Sequence, residues 1–391
     1  MAHSDAPAPQ HRDPPRFSAE AQGHSLTFYP GGPDRLAALL ALIDEARASL
    51  KISFYIFATD ESAVRVRDAL TAAARRGVDV RLIVDGFGAT ADASFFAPLI
   101  EAGCTFCRFI PKWTRRYLIR NHQKIVVADG HTAMLGGFNI ENGYFEPAGP
   151  DGWSDLAFTV TGPVVERIDR WFDELEDWAL HPDAQFRSIR RKVRGWDAGR
   201  RPVQLLIGGP TRGLSGWARS VGHDLLEGER LDMVMAYFSP PRRLQKRIRA
   251  IARRGKTRLV LPSISDNAAT VGAARALYGK LLRSGAQIWE FQHRKLHTKL
   301  IVLDDAVYLG SANFDMRSLY LNLEIVLRIE DAALAARMRE YIDDHLRSAL
   351  EITPELHKRR ATWWNRLRWR LSWFLVGVVD YTVSRKLNLG L

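Results

Sequence analysis

One motif occurs twice at matching places in the sequence, and this duplication limits the fold more than any other feature. Each copy has a histidine, a lysine two positions later and an aspartate five positions after that, and the copies lie 175 positions apart. A chain of 391 residues is long enough for two domains of ordinary size. We therefore predict two homologous halves. The motif residues are His122, Lys124 and Asp129, then His297, Lys299 and Asp304.

A second match follows each motif copy. Gly136-Gly137-Phe138-Asn139 corresponds to Gly310-Ser311-Ala312-Asn313, at an offset of 174 positions. One motif copy is weak evidence, since three fixed positions turn up by chance in roughly one or two such chains per hundred. Two copies in the same order, each followed by a glycine-rich turn and an asparagine, make coincidence a poor explanation.

The hydrophobic pattern of each half predicts alternating helices and strands. In the first half we expect a helix with an N-cap at Asp34 and apolar positions through Leu50, a strand over Lys51–Phe57 and a helix over Glu61–Arg76. The motif then runs directly into apolar strands at Ile125–Ala128 and Leu300–Leu303. Short apolar strands between helices indicate α/β sheets that are covered on both faces.

Composition suggests five segments along the chain. Residues 1–23 lack an apolar signal region and are predicted to be a disordered leader. The first domain is expected at 24–186, a basic and poorly periodic linker at 187–202, the second domain at 203–352 and a basic, tryptophan-rich tail at 353–391. No apolar run approaches the ~20 residues that span a bilayer, so no membrane-spanning helix is expected.

The two cysteines, Cys104 and Cys107, are predicted to be buried structural thiols. A CxxC pair can also be a redox site or half of a zinc site, but the sequence has no second pair to complete zinc binding. If this segment is extended, side chains three positions apart point to opposite faces of a strand. Since no disulfide framework is implied, a reducing cytoplasm is the expected compartment.

Paired histidines have the chemistry that phosphodiester transfer needs without a metal ion. Neutral imidazole can attack phosphorus and imidazolium can donate a proton, and a pKa near 6.5 makes both forms accessible. One histidine cannot do both in the same step, so His122 and His297 are expected to face each other across one phosphorus. Lys124 and Lys299 would then neutralise the phosphoryl oxygens. No cofactor and no metal is expected.

The other repeated polar residues are assigned supporting roles. Asn139 and Asn313 are expected to donate neutral hydrogen bonds to the substrate phosphate. Asp129 and Asp304 complete the two motifs and are kept as candidate site residues. Each of them ends a predicted strand, however, which favours a role in fixing the turn.

These residues resemble those of the phospholipase D superfamily, whose members carry two such motifs per active site. The similarity covers roughly Ser25 to Ser348, and it is strongest to bacterial cardiolipin synthases of the shorter type without N-terminal transmembrane helices. Its most specific stretch is Gly-Ser-Ala-Asn-Phe-Asp-Met-Arg-Ser at 310–318, and Trp153-Ser154-Asp155 also fits. One departure is Gly137, where many members have serine, which removes one hydroxyl donor.

The resemblance implies a fold and a reaction. The fold would be two phospholipase D-like α-β-α sandwich domains packed with pseudo-two-fold symmetry, with the active site at their interface. The reaction would move a phosphatidyl group from one phosphatidylglycerol to another through a phosphohistidine and release glycerol. By analogy His122 is the nucleophile and His297 the acid and base, although a pseudo-symmetric site leaves the reverse assignment open. Asp155 and Glu324 occupy the places of the acids that orient the histidines in relatives.

The tail favours lipid over nucleic acid as the partner. From residue 357 onward it holds eight lysines or arginines and one acid, interleaved with tryptophans, in a chain whose formal net charge is +12. Such a segment is typical of the membrane interface, although a C-terminal helix packed on the core is the alternative. We expect anionic phospholipid (phosphatidylglycerol and cardiolipin) as the partner and a peripheral position on the cytoplasmic face of the bacterial inner membrane. Nucleic acid and an obligate protein partner are not expected.

Two alternative functions stay open. Phospholipid hydrolysis would use the same site with water in place of the acceptor alcohol, and the difference depends on water exclusion. A metal-independent nuclease is the other alternative, since basic surfaces with aromatic side chains also bind single strands. A second basic and aromatic run at 112–117 is interpreted either as a rim loop that meets lipid headgroups or DNA phosphates, or as a solvated loop without a function.

Overall fold

The structure is a computed structural model that describes residues 12–110, 119–181, 186–211 and 213–379. The run at 112–117 therefore lies outside the described residues. The first half contains β1 (Phe17–Ala21), β2 (His24–Tyr29), α1 (Gly32–Glu45), β3 (Ser49–Phe54), α2 (Glu61–Arg75), β4 (Asp79–Asp85), α3 (Ala97–Glu101), β5 (Thr105–Phe109), β6 (Ile125–Ala128), β7 (Thr132–Gly136), β8 (Trp153–Ser154), β9 (Ala157–Thr161) and α4 (Val164–Leu180). A 3₁₀ turn occupies Asn142–Tyr144.

The second half repeats this succession of elements after a connecting helix, α5 (Phe186–Gly195). Its elements are β10 (Val203–Gly208), α6 (Gly216–Glu227), β11 (Arg230–Met235), β12 (Phe238–Ser239), α7 (Arg242–Arg254), β13 (Lys256–Pro262), α8 (Ala268–Leu282), β14 (Gln287–Phe291), β15 (Lys295–Leu296), β16 (Lys299–Leu303), β17 (Ala306–Gly310), β18 (Phe314–Asp315), α9 (Met316–Tyr320), β19 (Glu324–Glu330), α10 (Ala332–Ser348) and β20 (Leu350–Glu351). The tail adds α11 (Pro354–Arg360), α12 (Trp363–Phe374) and a π-helical turn at Leu375–Val379.

Each half is built on a mixed sheet of eight strands, and seven strands follow the same order in both sheets, from β2 to β5 in the first and from β10 to β14 in the second. The first runs β1-β2-β9-β7-β6-β3-β4-β5 and the second β10-β19-β17-β16-β11-β13-β14-β20. In the first sheet β3, β4 and β5 are parallel and the strands from β3 through β6, β7 and β9 to β2 are antiparallel, and the equivalent strands of the second sheet pair in the same way. Only β1 and β20 have no counterpart in the other sheet. The duplication in the sequence is therefore a duplication of the fold.

Both sheets are covered on both faces, as the apolar strands predicted. Ile125 and Val127 of β6 and Leu300 of β16 belong to one central core that also holds the apolar faces of α4 and α10. The alternate residues Val126 and Ile301 belong to two separate outer cores, each within its own half. The result is two α-β-α sandwiches related by pseudo-two-fold symmetry, with the motif strands at the centre of each.

The predicted helix that would extend to Leu50 is too long. α1 ends at Glu45, and its N-cap is Gly31 and not Asp34. Leu50 lies in β3 instead, fully buried, where it pairs with Val80 on one side and Ala128 on the other. The spacing of Leu50 from the leucines of α1 suggested a helix, but pairing with strands on both sides places this residue in a strand.

The prediction of a disordered leader over 1–23 is wrong for its last part. Phe17–Ala21 forms β1 because its side chains find partners in both halves: the Phe17 ring stacks on Phe28 at 4.9 Å and lies 6.3 Å from Tyr341 of α10. Asp13 pairs with Arg294 of the second half. Residues 1–11 lie outside the described part of the chain.

The connector between the halves is more ordered than its sequence suggested. The predicted linker at 187–202 consists largely of α5, which carries its basic residues outward. Ile189 and Val193, four positions apart, are buried in the central core, and the Trp196 ring packs edge-on at 5.1 Å from Trp171. The expectation of a poorly periodic linker missed this i, i+4 pair because only two apolar residues mark the helix.

The tail packs on the second half, which was one of the two alternatives that its sequence left open, and it also has an exposed apolar face. α12 packs on α8, where Gly272 allows a close approach: a Cβ there would lie 2.5 Å from the Ser372 Oγ. Trp369 is buried in this contact. The opposite face of α12 is an exposed apolar stripe that starts at Trp363 and Trp364, which are 63% and 65% exposed, and continues with Leu367, Leu371 and Phe374. No helix in the described segments combines the length and the apolar composition that spanning a bilayer requires.

The cysteines lie as predicted on opposite faces of one sheet. Cys104 belongs to the outer core of the first half and Cys107 to the central core. Both are buried free thiols, and burial raises the pKa of each to about 12. These thiols are therefore protonated and unreactive.

Candidate active site

The two motifs meet at the interface between the halves, because each motif backbone pairs with the other half. The His122 N–H donates to the Leu323 carbonyl at 3.0 Å, and the His297 N–H donates to the Ser154 carbonyl at 2.7 Å. Next to the second contact, β8 and β15 form a two-stranded parallel ladder between the halves. The pseudo-two-fold axis thus brings the starts of β6 and β16 into one site.

Each histidine is held by a carboxylate from the opposite half. His122 Nδ1 lies 3.0 Å from Glu324 Oε2, and His297 Nδ1 lies 2.8 Å from Asp155 Oδ2. Both carboxylates are almost fully buried. When Nδ1–H is donated to a carboxylate, the lone pair of Nε2 is left for chemistry. Both imidazoles are therefore oriented in the same way by equivalent contacts.

The motif lysines lie beside the histidines and are buried as well. Lys124 Nζ donates to the His122 carbonyl at 2.6 Å, and Lys299 Nζ donates to the His297 carbonyl at 2.5 Å. The charge of Lys299 also acts on His122, and that of Lys124 on His297, so both halves contribute to one electrostatic environment. Two ammonium groups in a low-dielectric site attract an anion strongly.

Burial lowers the pKa of all four groups. It lowers the pKa of His122 to about 4 and that of His297 to about 3, because desolvation and the neighbouring ammonium groups together outweigh the attraction of Glu324 and Asp155. Burial likewise lowers the pKa of Lys124 to about 7 and that of Lys299 to about 8. Both imidazoles are thus neutral at pH 7, while the lysines titrate close to neutrality.

The Glu324 and Asp155 carboxylates differ in the side chains that surround them. Glu324 accepts hydrogen bonds from the Ser311 hydroxyl at 2.5 Å and the Ser318 hydroxyl at 2.7 Å. Asp155 has Gly137 in the place of Ser311, and a Cβ at that position would lie 2.5 Å from its Oδ1. A side chain at position 137 would collide with the Asp155 carboxylate, which explains why this chain has glycine where many relatives have serine. Ser318 was missed as a site residue, although its place in the 310–318 run was the available signal.

The two motif asparagines have different surroundings. Asn139 accepts from the Ile56 N–H at 3.2 Å and donates to the Tyr144 hydroxyl at 3.0 Å, and that hydroxyl lies 3.5 Å from His297 Nε2. Asn313 is buried, and its Oδ1 has no hydrogen-bond partner in the described part of the molecule. Tyr144 was not among the predicted site residues, although it follows Asn139 by five positions.

Two further residues next to His122 were not predicted from the sequence. The Tyr55 ring lies 5.0 Å from the His122 ring, and Lys124 Nζ lies 5.3 Å from the same tyrosine ring. Asp85, at the end of β4, accepts the Asn121 N–H at 2.7 Å and fixes the backbone before His122. A polar residue at the carboxyl end of a buried strand was the signal for Asp85.

Asp129 and Asp304 lie away from the paired histidines and lysines, which corrects their place among the candidate site residues. Each lies at the far end of its motif strand, roughly 16 Å from the motif lysine at about 3.3 Å per residue. Asp129 has φ +53° and accepts the N–H groups of Arg47, Ala48 and Ser49 at 2.7–2.9 Å. Asp304 repeats the contact, with φ +49°, at 229–230. Both aspartates fix turns.

A protein-family model matches the chain at residues 39–176 and 226–346, and it describes a cardiolipin synthase, PLD-like domain. The matched residues cover both halves and both motifs. Among curated proteins, cardiolipin synthase A of Cronobacter sakazakii is 30% identical over 384 residues, which cover 91% of this chain and 76% of the relative. Cardiolipin synthase B of Shigella flexneri is 29% identical over 364 residues, covering 88% and 86%.

Solved structures show the same fold at lower sequence identity. The phosphatidylserine synthase of Haemophilus influenzae superposes with a TM-score of 0.74 at 16% identity, over 95% of this chain and 96% of that chain. The polyphosphate kinase of Porphyromonas gingivalis superposes with a TM-score of 0.59 at 14% identity, over 85% of this chain and 49% of the kinase. These likenesses support the two-domain fold alone.

Proposed function

The chain belongs to the family of phospholipase D-like cardiolipin synthases, and from this premise we propose that it moves a phosphatidyl group from one phosphatidylglycerol molecule to a second. The products of that reaction are cardiolipin and glycerol. The observation that carries the proposal is the crossed pair of histidine–carboxylate contacts, His122 with Glu324 and His297 with Asp155, beside two buried lysines.

In the first step, the lone pair on His122 Nε2 attacks phosphorus and the bond to the glycerol oxygen breaks. His297 is protonated by this point, because the bound anionic substrate raises the pKa of its imidazole, and its Nε2 proton goes to that oxygen, so glycerol leaves as a neutral alcohol. The Tyr144 hydroxyl beside His297 Nε2 supports the choice of this histidine as the proton donor. Lys124 and Lys299 stabilise the charge on the remaining phosphoryl oxygens.

In the second step, His297 takes the proton from a glycerol hydroxyl of the second phosphatidylglycerol. That oxygen attacks the phosphorus of the phosphohistidine, and the bond to His122 breaks. Asn139 has a second N–H for a phosphoryl oxygen beside the one that Tyr144 accepts. The reacting residues are at most 9% exposed in the described structure, which favours transfer to an alcohol over hydrolysis because water is scarce around the intermediate.

We assign the membrane contact to the exposed stripe of α12, on the cytoplasmic face of the bacterial inner membrane. The stripe places tryptophan and leucine side chains outward, and arginines flank it on the same helix. Aromatic and apolar groups beside basic ones suit the interface of an anionic leaflet. Anionic phospholipid is then both the surface and the substrate, and no role for nucleic acid is proposed.

Incubation of the protein with phosphatidylglycerol vesicles should produce cardiolipin and glycerol in equal amounts, detected by mass spectrometry. EDTA should leave the rate unchanged, because the proposed chemistry uses two histidines and two lysines. Phosphatidic acid as the main product would indicate hydrolysis instead. A rate that collapses with EDTA would contradict the proposed mechanism.

The variant with Leu367→Ser and Leu371→Ser should bind anionic vesicles roughly thirtyfold more weakly, since half-burying each leucine in the interface is worth about 1 kcal/mol. Vesicle co-sedimentation measures this directly. A matched control carries Leu180→Ser and Leu226→Ser, which are equally exposed on α4 and α6. If the two variants sediment alike, α12 is not the membrane contact.

Binding of an unreactive phosphonate analogue of phosphatidylglycerol should take up more than one proton at pH 7, one on an imidazole and part of a second on Lys124, whose pKa of about 7 leaves it half charged before binding. The histidine pKa values of about 4 and 3 leave both imidazoles neutral at pH 7 before the analogue binds. A bound anion raises those pKa values, so a proton enters and affinity falls as pH rises. The fall should steepen above pH 7 to 8, where Lys124 and Lys299 lose their charges.

Calorimetry in two buffers of different ionisation enthalpy measures the uptake. An uptake well below one proton at pH 6, where Lys124 and Lys299 are already charged, would show that neither imidazole gains a proton with the anion, and would remove the basis for an acid role of His297.

A further inference from the structure

A cavity of about 960 Å³ lies between α7, α8 and the two tail helices, α11 and α12. Nine of its nineteen lining residues are lysine or arginine, and the lining contains no carboxylate. None of the residues that line it belongs to the catalytic set at the interface of the halves. The cavity is therefore a separate place where an anion would be held.

The cations around the cavity are poorly compensated by the protein itself. Arg275 pairs with Glu290. Within the described ranges, the other eight form no ion pair: Arg242, Lys246, Arg249, Lys280, Arg283, Lys358, Arg366 and Arg370. The Arg249 Nε is also buried without a hydrogen-bond partner among the described residues. Like charges gathered around one cavity repel each other, and a bound anion would offset that repulsion.

The cavity walls also carry apolar groups. Leu277 and Leu282 of α8 face Trp369 and Trp373 of α12, and the Trp369 ring stacks on His357 at 5.7 Å. A volume of 960 Å³ lies at the upper end of the range for ligand sites, so a single phosphate ion would leave most of it to water. An amphiphile with an anionic head and an apolar body matches both parts of this lining.

The position of the cavity relies on the same helix as the proposed membrane contact. On α12, Trp369 and Trp373 face α8, while Leu367 and Leu371 are exposed. Arg366 and Arg370 lie between these two faces and line the cavity. With the exposed stripe in the apolar part of the leaflet, the cavity would open at the level of the lipid headgroups.

We propose that this cavity binds one anionic phospholipid molecule as a non-catalytic ligand, with the phosphate held by the lysines and arginines and the apolar body of the lipid against the tryptophans. This inference goes beyond the proposed transfer reaction, because it adds a second lipid site outside the catalytic centre. It would hold the tail against α8 whenever the protein lies on an anionic membrane.

The test counts bound lipid molecules. The protein with His122→Ala and His297→Ala, which prevents turnover, is titrated with dihexanoyl phosphatidylglycerol below its micelle concentration. The cavity variant adds Lys246→Gln, Lys280→Gln and Arg370→Gln. The control variant adds the exchanges to glutamine at three exposed cations of the same half outside the cavity, Arg243, Arg253 and Lys256.

The cavity variant should bind one lipid molecule fewer per chain than the parent and the control variant. At the lost site the affinity should fall roughly a hundredfold, since each of the three basic side chains removed contributes about 1 kcal/mol near an anionic lipid. Equal numbers of sites with equal affinities in the cavity variant and the parent would overturn the proposal. The count depends on binding and not on turnover, so it is decided whether or not the chain makes cardiolipin.

Two further ligands distinguish the source of the anion. Dihexanoyl phosphatidylcholine, which is zwitterionic, should occupy the cavity weakly. Inorganic phosphate that binds there as tightly as the lipid would overturn the assignment to a phospholipid. If the triple exchange prevents folding, Lys280→Gln alone is compared with Lys256→Gln, and about fivefold weaker binding at one site is expected.

Discussion

His122→Ala and His297→Ala should each lower cardiolipin formation at least roughly 10³-fold, because each removes a group that makes or breaks a bond to phosphorus or moves the proton. The two variants should differ, however, with a phosphatidyl ester of p-nitrophenol. That leaving group departs without a proton, so His297→Ala should still release one equivalent of p-nitrophenolate in a burst. The phosphatidyl group should remain on His122 and be detectable by mass spectrometry.

His122→Ala should show neither the burst nor the covalent adduct. A burst in His122→Ala and its absence in His297→Ala would reverse the assignment of nucleophile and acid, which the pseudo-symmetry of the site allows. Bursts in both variants would mean that neither histidine is the nucleophile. Lys256→Gln, an exposed change on β13, serves as the control and should give full turnover with both substrates.

The duplicated motif was enough to predict the two homologous domains and the meeting of the histidines. It was not enough to predict which carboxylate serves which histidine. Asp155 follows His122 in the chain but contacts His297, and Glu324 follows His297 but contacts His122. These contacts depend on backbone pairing between halves that are far apart in sequence, and no local pattern encodes such pairing.

Local sequence patterns also failed to predict secondary structure where tertiary contacts determine it. The strand at Phe17–Ala21 exists because it adds to the edge of a sheet and packs on α10, while its composition resembles the polar residues before it. Asp129 and Asp304 show the opposite case. Their position at a strand end was readable from sequence, and the interpretation that they fix turns is confirmed by their contacts to backbone N–H groups.

The crossed contacts have a consequence for catalysis that the doubled motif alone does not imply. Because each histidine depends on an acid of the other half, neither half holds a complete histidine–acid pair. The two acids also differ, since Glu324 has two serine donors and Asp155 faces a glycine. The two exchanges that remove the acids should therefore have separable effects on the two chemical steps.

Glu324→Gln and Asp155→Asn should each lower turnover of phosphatidylglycerol by roughly 10²–10⁴-fold, because an amide neither fixes the required imidazole tautomer nor stabilises the imidazolium. With the p-nitrophenyl ester, Asp155→Asn should keep a fast burst, since its partner His297 is not needed for that leaving group. Glu324→Gln should lose the burst, since its partner His122 is the nucleophile.

Ser311→Gly is the matched control for this pair of exchanges, because it places at 311 the glycine that the first half has at 137. It removes one donor to Glu324 but leaves the contact of that carboxylate with His122, so the loss should stay within roughly tenfold. Bursts that are equal in Glu324→Gln and Asp155→Asn would mean that the two carboxylates do not act through separate histidines. The assignment of His122 as nucleophile and His297 as acid and base would then be wrong.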